Sequence, residues 1–282
     1  MNKTIGRLLI FFIGVPAFCA LIFLLPFYKN LPFNALSTLL TAMGAVELSV
    51  MLRNKGFHVS KIEAFILGSL APLAATLSVC LGFPSWIVSL FIMAGASWAL
   101  LSRAFTNSKN LGNIINNIAG CFMVMIYPGF FTFWIIKISV WENPGAIFLF
   151  LLIVFINDSA AWFFGNLFGK NNRGIIPASP NKSVAGFICG VLSATIISAL
   201  AAFFFPSFFS ATVVRLELAF VLGFCTGIFA TLGDLAESVI KRSCDVKDSG
   251  RLMLGRGGVL DSEDSLAAAA PVFFALYYLF FI

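Results

Sequence analysis

The stretch AIFLFLLIVFINDSAAWFFGNLF, residues 146–168, decides the fold. Its 23 residues carry one charged side chain, Asp158. As a helix it runs about 34 Å, enough to cross a bilayer core of about 30 Å. It shows no period-two alternation and is too long for a barrel strand, so a spanning helix is the reading that satisfies its backbone in lipid. Eight further apolar runs share these properties, at 8–27, 35–52, 64–83, 86–102, 114–136, 184–206, 216–235 and 266–282. The runs at 35–52 and 86–102 are short. The run at 8–27 follows Lys3 and Arg7 but exceeds a signal-peptide core and has no small-x-small site after it, so it reads as a retained span. Composition agrees: 60% of the 282 residues are hydrophobic, 11% are charged and 34 are Phe, with mean hydropathy +0.99. A soluble domain of this length cannot bury so much apolar surface. The expected fold is all-α, a polytopic integral membrane protein of about nine transmembrane helices.

Charge placement gives the expected orientation. With a cytoplasmic N-terminus, 15 of the 18 bases fall on the cytoplasmic side and only Lys29, Lys137 and Arg215 on the other. That asymmetry is the positive-inside pattern, and removing one middle span would scramble it. The net charge of +6 follows mostly from this topology. The bases are spread over several loops without a basic arm, so no nucleic-acid partner is expected. The six cysteines are isolated, with no Cys-x-x-Cys, and His58 is the one histidine, which argues against zinc.

The chain divides in character near residue 145. The portion 1–145 reads as a membrane scaffold of about five spans with short loops, and Glu47 is its one deeply placed acid. The portion 146–282 has about four spans and two long polar segments, 169–183 and 236–265, both on the expected cytoplasmic side. Asp158 and Asp234 lie in the two spans that run toward that side, and Glu237 follows Asp234 by three residues. An ionised carboxylate in hydrocarbon costs about 2.5–3.5 kcal/mol on insertion scales, so such acids line cavities, hold cations or pair with bases.

Charge is densest in VKDSGRLMLGRGGVLDSEDS, residues 246–265, with four acids (Asp248, Asp261, Glu263, Asp264) and three bases (Lys247, Arg251, Arg256). Extended back to Gly233, the segment adds Asp234, Ser238, Lys241 and Arg242. Asp234 and Asp261 offer hard oxygen ligands suited to Mg²⁺. Lys241, Arg242, Lys247, Arg251 and Arg256 can neutralise phosphate oxygens. Gly255, Gly257 and Gly258 allow close backbone approach to an anion. Lys182 and Ser183, at the start of the next span after PASPNKSVAG (177–186), form a further phosphate contact. Together these groups point to metal-dependent phosphoryl or nucleotidyl transfer.

These residues carry a family resemblance. The signature of the phosphatidate cytidylyltransferase (CDP-diacylglycerol synthase) family runs Ser-x-x-Lys-Arg, four residues, Lys-Asp-Ser-Gly, a Pro-Gly-His-Gly-Gly turn and Leu-Asp-Arg-x-Asp. The chain resembles it in register at Ser238, Lys241, Arg242, Lys247, Asp248, Ser249, Gly250, Gly255, Gly257, Gly258, Leu260, Asp261 and Asp264. Upstream, Asn157–Ala161 and Ser179–Ser183 are similar to two further family segments. The resemblance covers about residue 146 to the end. The chain departs from the pattern at Leu254 for Pro, Arg256 for His, Ser262 for Arg and Ala185 for Glu.

The resemblance implies transfer of the cytidylyl group of CTP to phosphatidic acid. In that reading Asp234, Asp261 and Asp158 serve Mg²⁺, directly or through water. Lys182, Ser183, Ser238, Lys241, Arg242, Lys247, Arg256, Gly257 and Gly258 serve the substrate phosphates, and Asp248 orients a lysine or ligates metal. The family also implies a second, monovalent cation (K⁺), a homodimer, and a bacterial inner-membrane enzyme whose active site faces the cytoplasm. A catalytically weak homologue and an enzyme for another lipid phosphate stay open. So does a cation-coupled transporter, although the clustering of acids in one half argues against it.

Overall fold

The computed structural model describes residues 14–104, 112–174, 176–253 and 257–282. Apart from two isolated bridges, regular structure among them is helical. Seven helical segments among the described residues are long and apolar enough to cross a membrane, and Trp86–Leu101 is a shorter apolar helix. The first apolar run, 8–27, lies partly outside the described residues.

Two compact units emerge, and the chain passes between them more than once. One comprises residues 1–140 and 243–263; the other comprises 141–242 and 264–282. The charged loop 246–263 thus belongs with the first-half helices.

The first unit contains α1 (Val15–Phe23), α2 (Phe27–Arg53), α3 (Lys61–Leu81) and α4 (Trp86–Leu101). The span at Ile114–Trp141 follows, built from α5 (Ile114–Val124), a π-helical turn (Met125–Phe130), α6 (Phe131–Ile138) and a closing 3₁₀ turn. The wide turn holds Pro128, which cannot donate to the helical ladder. Ser60 starts α3: its hydroxyl accepts from the Glu63 amide at 3.1 Å. Gly82, at φ 72°, ends it in the left-handed conformation that favours glycine. Ala71 and Ala75 of α3 pack with Phe133 and Ile136 of α6 in an apolar core.

Glu63 also ties α3 to the end of α4. Arg103 Nη2 lies 2.9 Å from both Glu63 carboxylate oxygens, and Trp98 Nε1 donates to Oε1 at 3.0 Å. Burial disfavours the Arg103 charge, but hydrogen bonding and attraction to Glu63 outweigh it and push its pKa above the ordinary value. Arg103→Ala is expected to destabilise the detergent-solubilised protein by about 1–3 kcal/mol, because a largely buried carboxylate loses its counter-charge. A thermal melt that does not move would contradict this.

The second unit contains α7 (Pro144–Phe168), α8 (Val184–Phe204), α9 (Leu216–Ser243) and, from Asp264 onward, α10 (Leu260–Phe281). Asn143 caps α7, its side-chain oxygen accepting from Gly145 N at 2.9 Å, with Pro144 pre-set for the first turn. Ser183 caps α8 through Gly186 N at 3.1 Å. Trp141 stacks on Tyr277 and Phe274, with centroids 4.5 and 4.9 Å apart, and the Tyr277 hydroxyl donates to Phe208 O at 2.8 Å. This aromatic layer satisfies the buried phenol.

Candidate active site

In the second unit, three acids from two helices bear electrostatically on a fourth from a third helix. Asp158 comes from α7, Asp234 and Glu237 from α9, and Asp264 from α10. Asp264 is buried, and Asp234, Glu237 and Asp158 are the charges that bear on it, in that order of strength. Asp234, Glu237 and Lys241 share one face of α9 by their three- and four-residue spacings. A methyl group at Gly233 would sit 2.5 Å from the Asp264 carbonyl oxygen and from Ala268 Cβ, so only glycine lets α9 and α10 meet there.

Two lysines join the acids. Lys182 Nζ lies 2.6 Å from Asp234 Oδ2, with both side chains about one-third exposed. Lys241 pairs with Glu237, which is fully buried. Lys182 is delivered by a folded loop. Gly174 N donates to Pro180 O at 3.0 Å, Lys182 N to Ser179 O at 3.1 Å and Val184 N to Asn172 O at 3.2 Å. Arg242 Nε, from the end of α9, donates to Ala178 O at 3.3 Å and props the same loop. At the base of the cluster, Asn157 Nδ2 bridges Asp158 Oδ1 and Thr231 Oγ1, each at 3.1 Å.

The charged loop in the first unit has its own order. Asp261 Oδ2 accepts from Ser249 N at 2.9 Å and Gly258 N at 2.7 Å, and lies 3.0 Å from Ser249 Oγ. Gly257 adopts φ 112°, a conformation that disfavours any side chain, and pairs with Met253 through both backbone groups. Glu47 reaches this loop from α2, its Oε2 accepting from Ser249 Oγ and Leu260 N, each at 3.0 Å.

The structure therefore sorts the residues named from sequence. Asp158, Asp234, Lys182 and Lys241 gather in the second unit, and Arg242 is bound to the Lys182 loop. Ser183 acts as a helix cap, and Ser238 is half-buried on α9. Asp261, Gly257 and Gly258 form the ordered loop of the first unit, where Lys247 and Asp248 are exposed. Arg256, with Leu254 and Gly255, lies outside the described residues. Sequence reasoning left Glu237, Asp264 and Glu47 out of the site. The first two carried a signal: Glu237 follows Asp234 by three residues, as Asp264 follows Asp261. Glu47 carried none beyond being an acid in an apolar span.

The donor set of the second unit suits a hard divalent cation. It is all oxygen, with four carboxyl groups against two lysines. Among the described residues, no three acidic, histidine or cysteine side chains already converge as a metal-binding group.

Comparison with known proteins gives this geometry a lineage. Residues 5–280 match the cytidylyltransferase family. A phosphatidate cytidylyltransferase of Staphylococcus saprophyticus is 32% identical over 189 residues, covering 67% of this chain and 70% of that protein. One from Staphylococcus aureus is 34% identical over 187 residues, covering 66% and 68%. One from Haemophilus influenzae is 42% identical over 133 residues, covering 46% of this chain and 44% of that protein. With a match that runs nearly end to end, and acids and lysines from four separate segments gathered inside a membrane-spanning unit, the chain belongs to the cytidylyltransferase family.

Proposed function

We propose that the protein transfers the cytidylyl group of CTP to phosphatidic acid. A phosphate oxygen of phosphatidic acid attacks the α-phosphorus of CTP. The new P–O bond forms as the bond to the β-phosphate bridging oxygen breaks, giving CDP-diacylglycerol and pyrophosphate. The phosphate nucleophile is already ionised, so no general base is required. The observation that carries this reading is the contact between Lys182 and Asp234, which joins the Ser-Pro-Asn-Lys segment to the first signature helix. Lys182 and Lys241 would neutralise phosphate oxygens, while Arg242 and the loop bonds hold Lys182 in place. Mg²⁺, with Asp234 and Asp158 of the second unit as ligands, would supply charge neutralisation on the polyphosphate, and Asp261 keeps the metal-ligand role that the family resemblance implies. K⁺ as second cation, a homodimer and an inner-membrane site open to the cytoplasm complete the proposal.

The test uses purified protein with labelled CTP and phosphatidic acid in mixed micelles. Labelled CDP-diacylglycerol should form with Mg²⁺ and vanish with chelator, and omitting K⁺ should lower the rate. Product absent from the wild-type protein, or formed equally well without divalent metal, would overturn the reading. A panel of other lipid phosphates in the same assay identifies a different acceptor.

A further inference from the structure

Glu47 sits about 200 residues before the loop it touches. It is 7% exposed, six residues before the end of the spanning helix α2, where a buried carboxylate is costly unless its oxygens are engaged. Its Oε2 does two things at once. It accepts from Ser249 Oγ, and it accepts from the amide of Leu260, the first residue of α10. Ser249 Oγ is also 3.0 Å from Asp261 Oδ2, so one hydroxyl stands between the two carboxylates. The Asp261 amide points back at that hydroxyl at 3.3 Å. Glu47 thus fixes both ends of the turn that presents Asp261.

The glycines of the loop fit the same clasp. A methyl group at Gly250 would meet Glu47 and nothing nearer: it overlaps Oε1, and lies 2.6 Å from Cδ and 3.1 Å from Cγ. One at Gly258 would overlap both Glu47 Oε2 and Ser249 Oγ, and would come within 2.6 Å of Gly250 N. Gly250 has no positive φ to explain it. Its lack of a side chain is explained by the approach of Glu47.

We infer that Glu47 is a positioning residue for the transfer reaction, acting through Ser249 and the start of α10 to hold Asp261 in its working orientation. The inference rests on the reading of Asp261 as part of the transfer site. It assigns a role to the first half of the chain, which sequence reading treated as scaffold.

Three variants and two readouts test it. Glu47→Ala should lower kcat by about 10-fold or more while KM for CTP stays within about 3-fold, because the loss falls on orientation rather than on nucleotide contact. Glu47→Gln keeps an acceptor oxygen of the same reach and should restore kcat to within about 3-fold of wild type. Gly250→Ala should cost about 10-fold alone and add almost nothing in the Glu47→Ala background, since its clash partner is gone. Amide exchange in peptides covering 249–261 should rise in Glu47→Ala and in Gly250→Ala, and stay near wild type in Glu47→Gln. If Glu47→Ala cannot be purified, Glu47→Asp takes its place in the double variant, the shorter side chain withdrawing from the new methyl. Additive losses, a Gln variant as impaired as Ala, or unchanged exchange across 249–261 would overturn the inference. The exchange readout needs no turnover, so an inactive wild-type protein would count against the proposed reaction while the clasp is still judged.

Discussion

Asp234→Asn is expected to cut turnover by about 10²–10³-fold, a loss comparable to removing one preorganised electrostatic group from a transition state. The substitution keeps size and an acceptor oxygen, so Lys182 Nζ, now 2.6 Å from Oδ2, retains a hydrogen-bond partner. What disappears is one negative charge from a cluster whose formal excess of acid over lysine suits a divalent cation. The fold should tolerate the change, with a thermal midpoint near wild type. The loss should therefore appear in turnover and in the Mg²⁺ concentration for half-maximal rate. Near-normal activity at low Mg²⁺ would remove Asp234 from the chemistry.

The largest expected stability effect lies two turns further along α9. Lys241→Met removes the ion-pair partner of Glu237, whose side chain is fully buried. Methionine preserves much of the lysine stem volume, so packing changes little. Breaking a buried pair by deleting one member costs about 3–5 kcal/mol, because the remaining charge has lost compensation without regaining water. Glu237→Gln combined with Lys241→Met should recover most of that loss, since neither charge then remains. Thermal melts of the two single variants and the double variant in one detergent give the coupling directly. A double variant as unstable as Lys241→Met would show that Glu237 is not the source of the penalty.

Much of the architecture was legible from apolar run length alone. The run at 146–168 is found within the helix Pro144–Phe168, and that at 184–206 corresponds to Val184–Phe204. Boundaries on the charged side were harder. The α9 helix continues to Ser243, eight residues past the apolar run, because Glu237 and Lys241 satisfy each other within one turn. Hydropathy sees that turn as polar and stops. The run at 35–52 was short for a related reason: Lys29, Asn30 and Asn34 break its apolar signal. Asn34 lies within the helical part of Phe27–Arg53, while Lys29 and Asn30, at φ 56° and 59°, form a left-handed kink at its start, and Asn30 and Asn34 donate to the carbonyls of Ile22 and Lys29 at 3.1 Å.

The site was legible where its residues lie close in sequence. Asp234, Lys241 and Arg242 come from one helix, and Lys182 from one compact turn. Asp264 was harder to separate from Asp261, because both open the same helix and both are acids. Only side-chain direction tells them apart, one accepting from Ser249 and Gly258, the other set among Asp234, Glu237 and Asp158. Glu47 was out of reach for a different reason. Its partners are 202 and 213 positions away, and nothing local marks an acid as a hydrogen-bond anchor rather than a packing compromise.

The division of the chain at 140, 242 and 263 also governs biogenesis. The first unit cannot be completed when its own helices leave the ribosome, because residues 243–263 are translated only after the whole of 141–242. At about 5–20 residues per second, Glu47 waits many seconds in the bilayer for the donors that will quench it. A nascent chain arrested before residue 243 would leave that acid without its donors from Ser249 and Leu260.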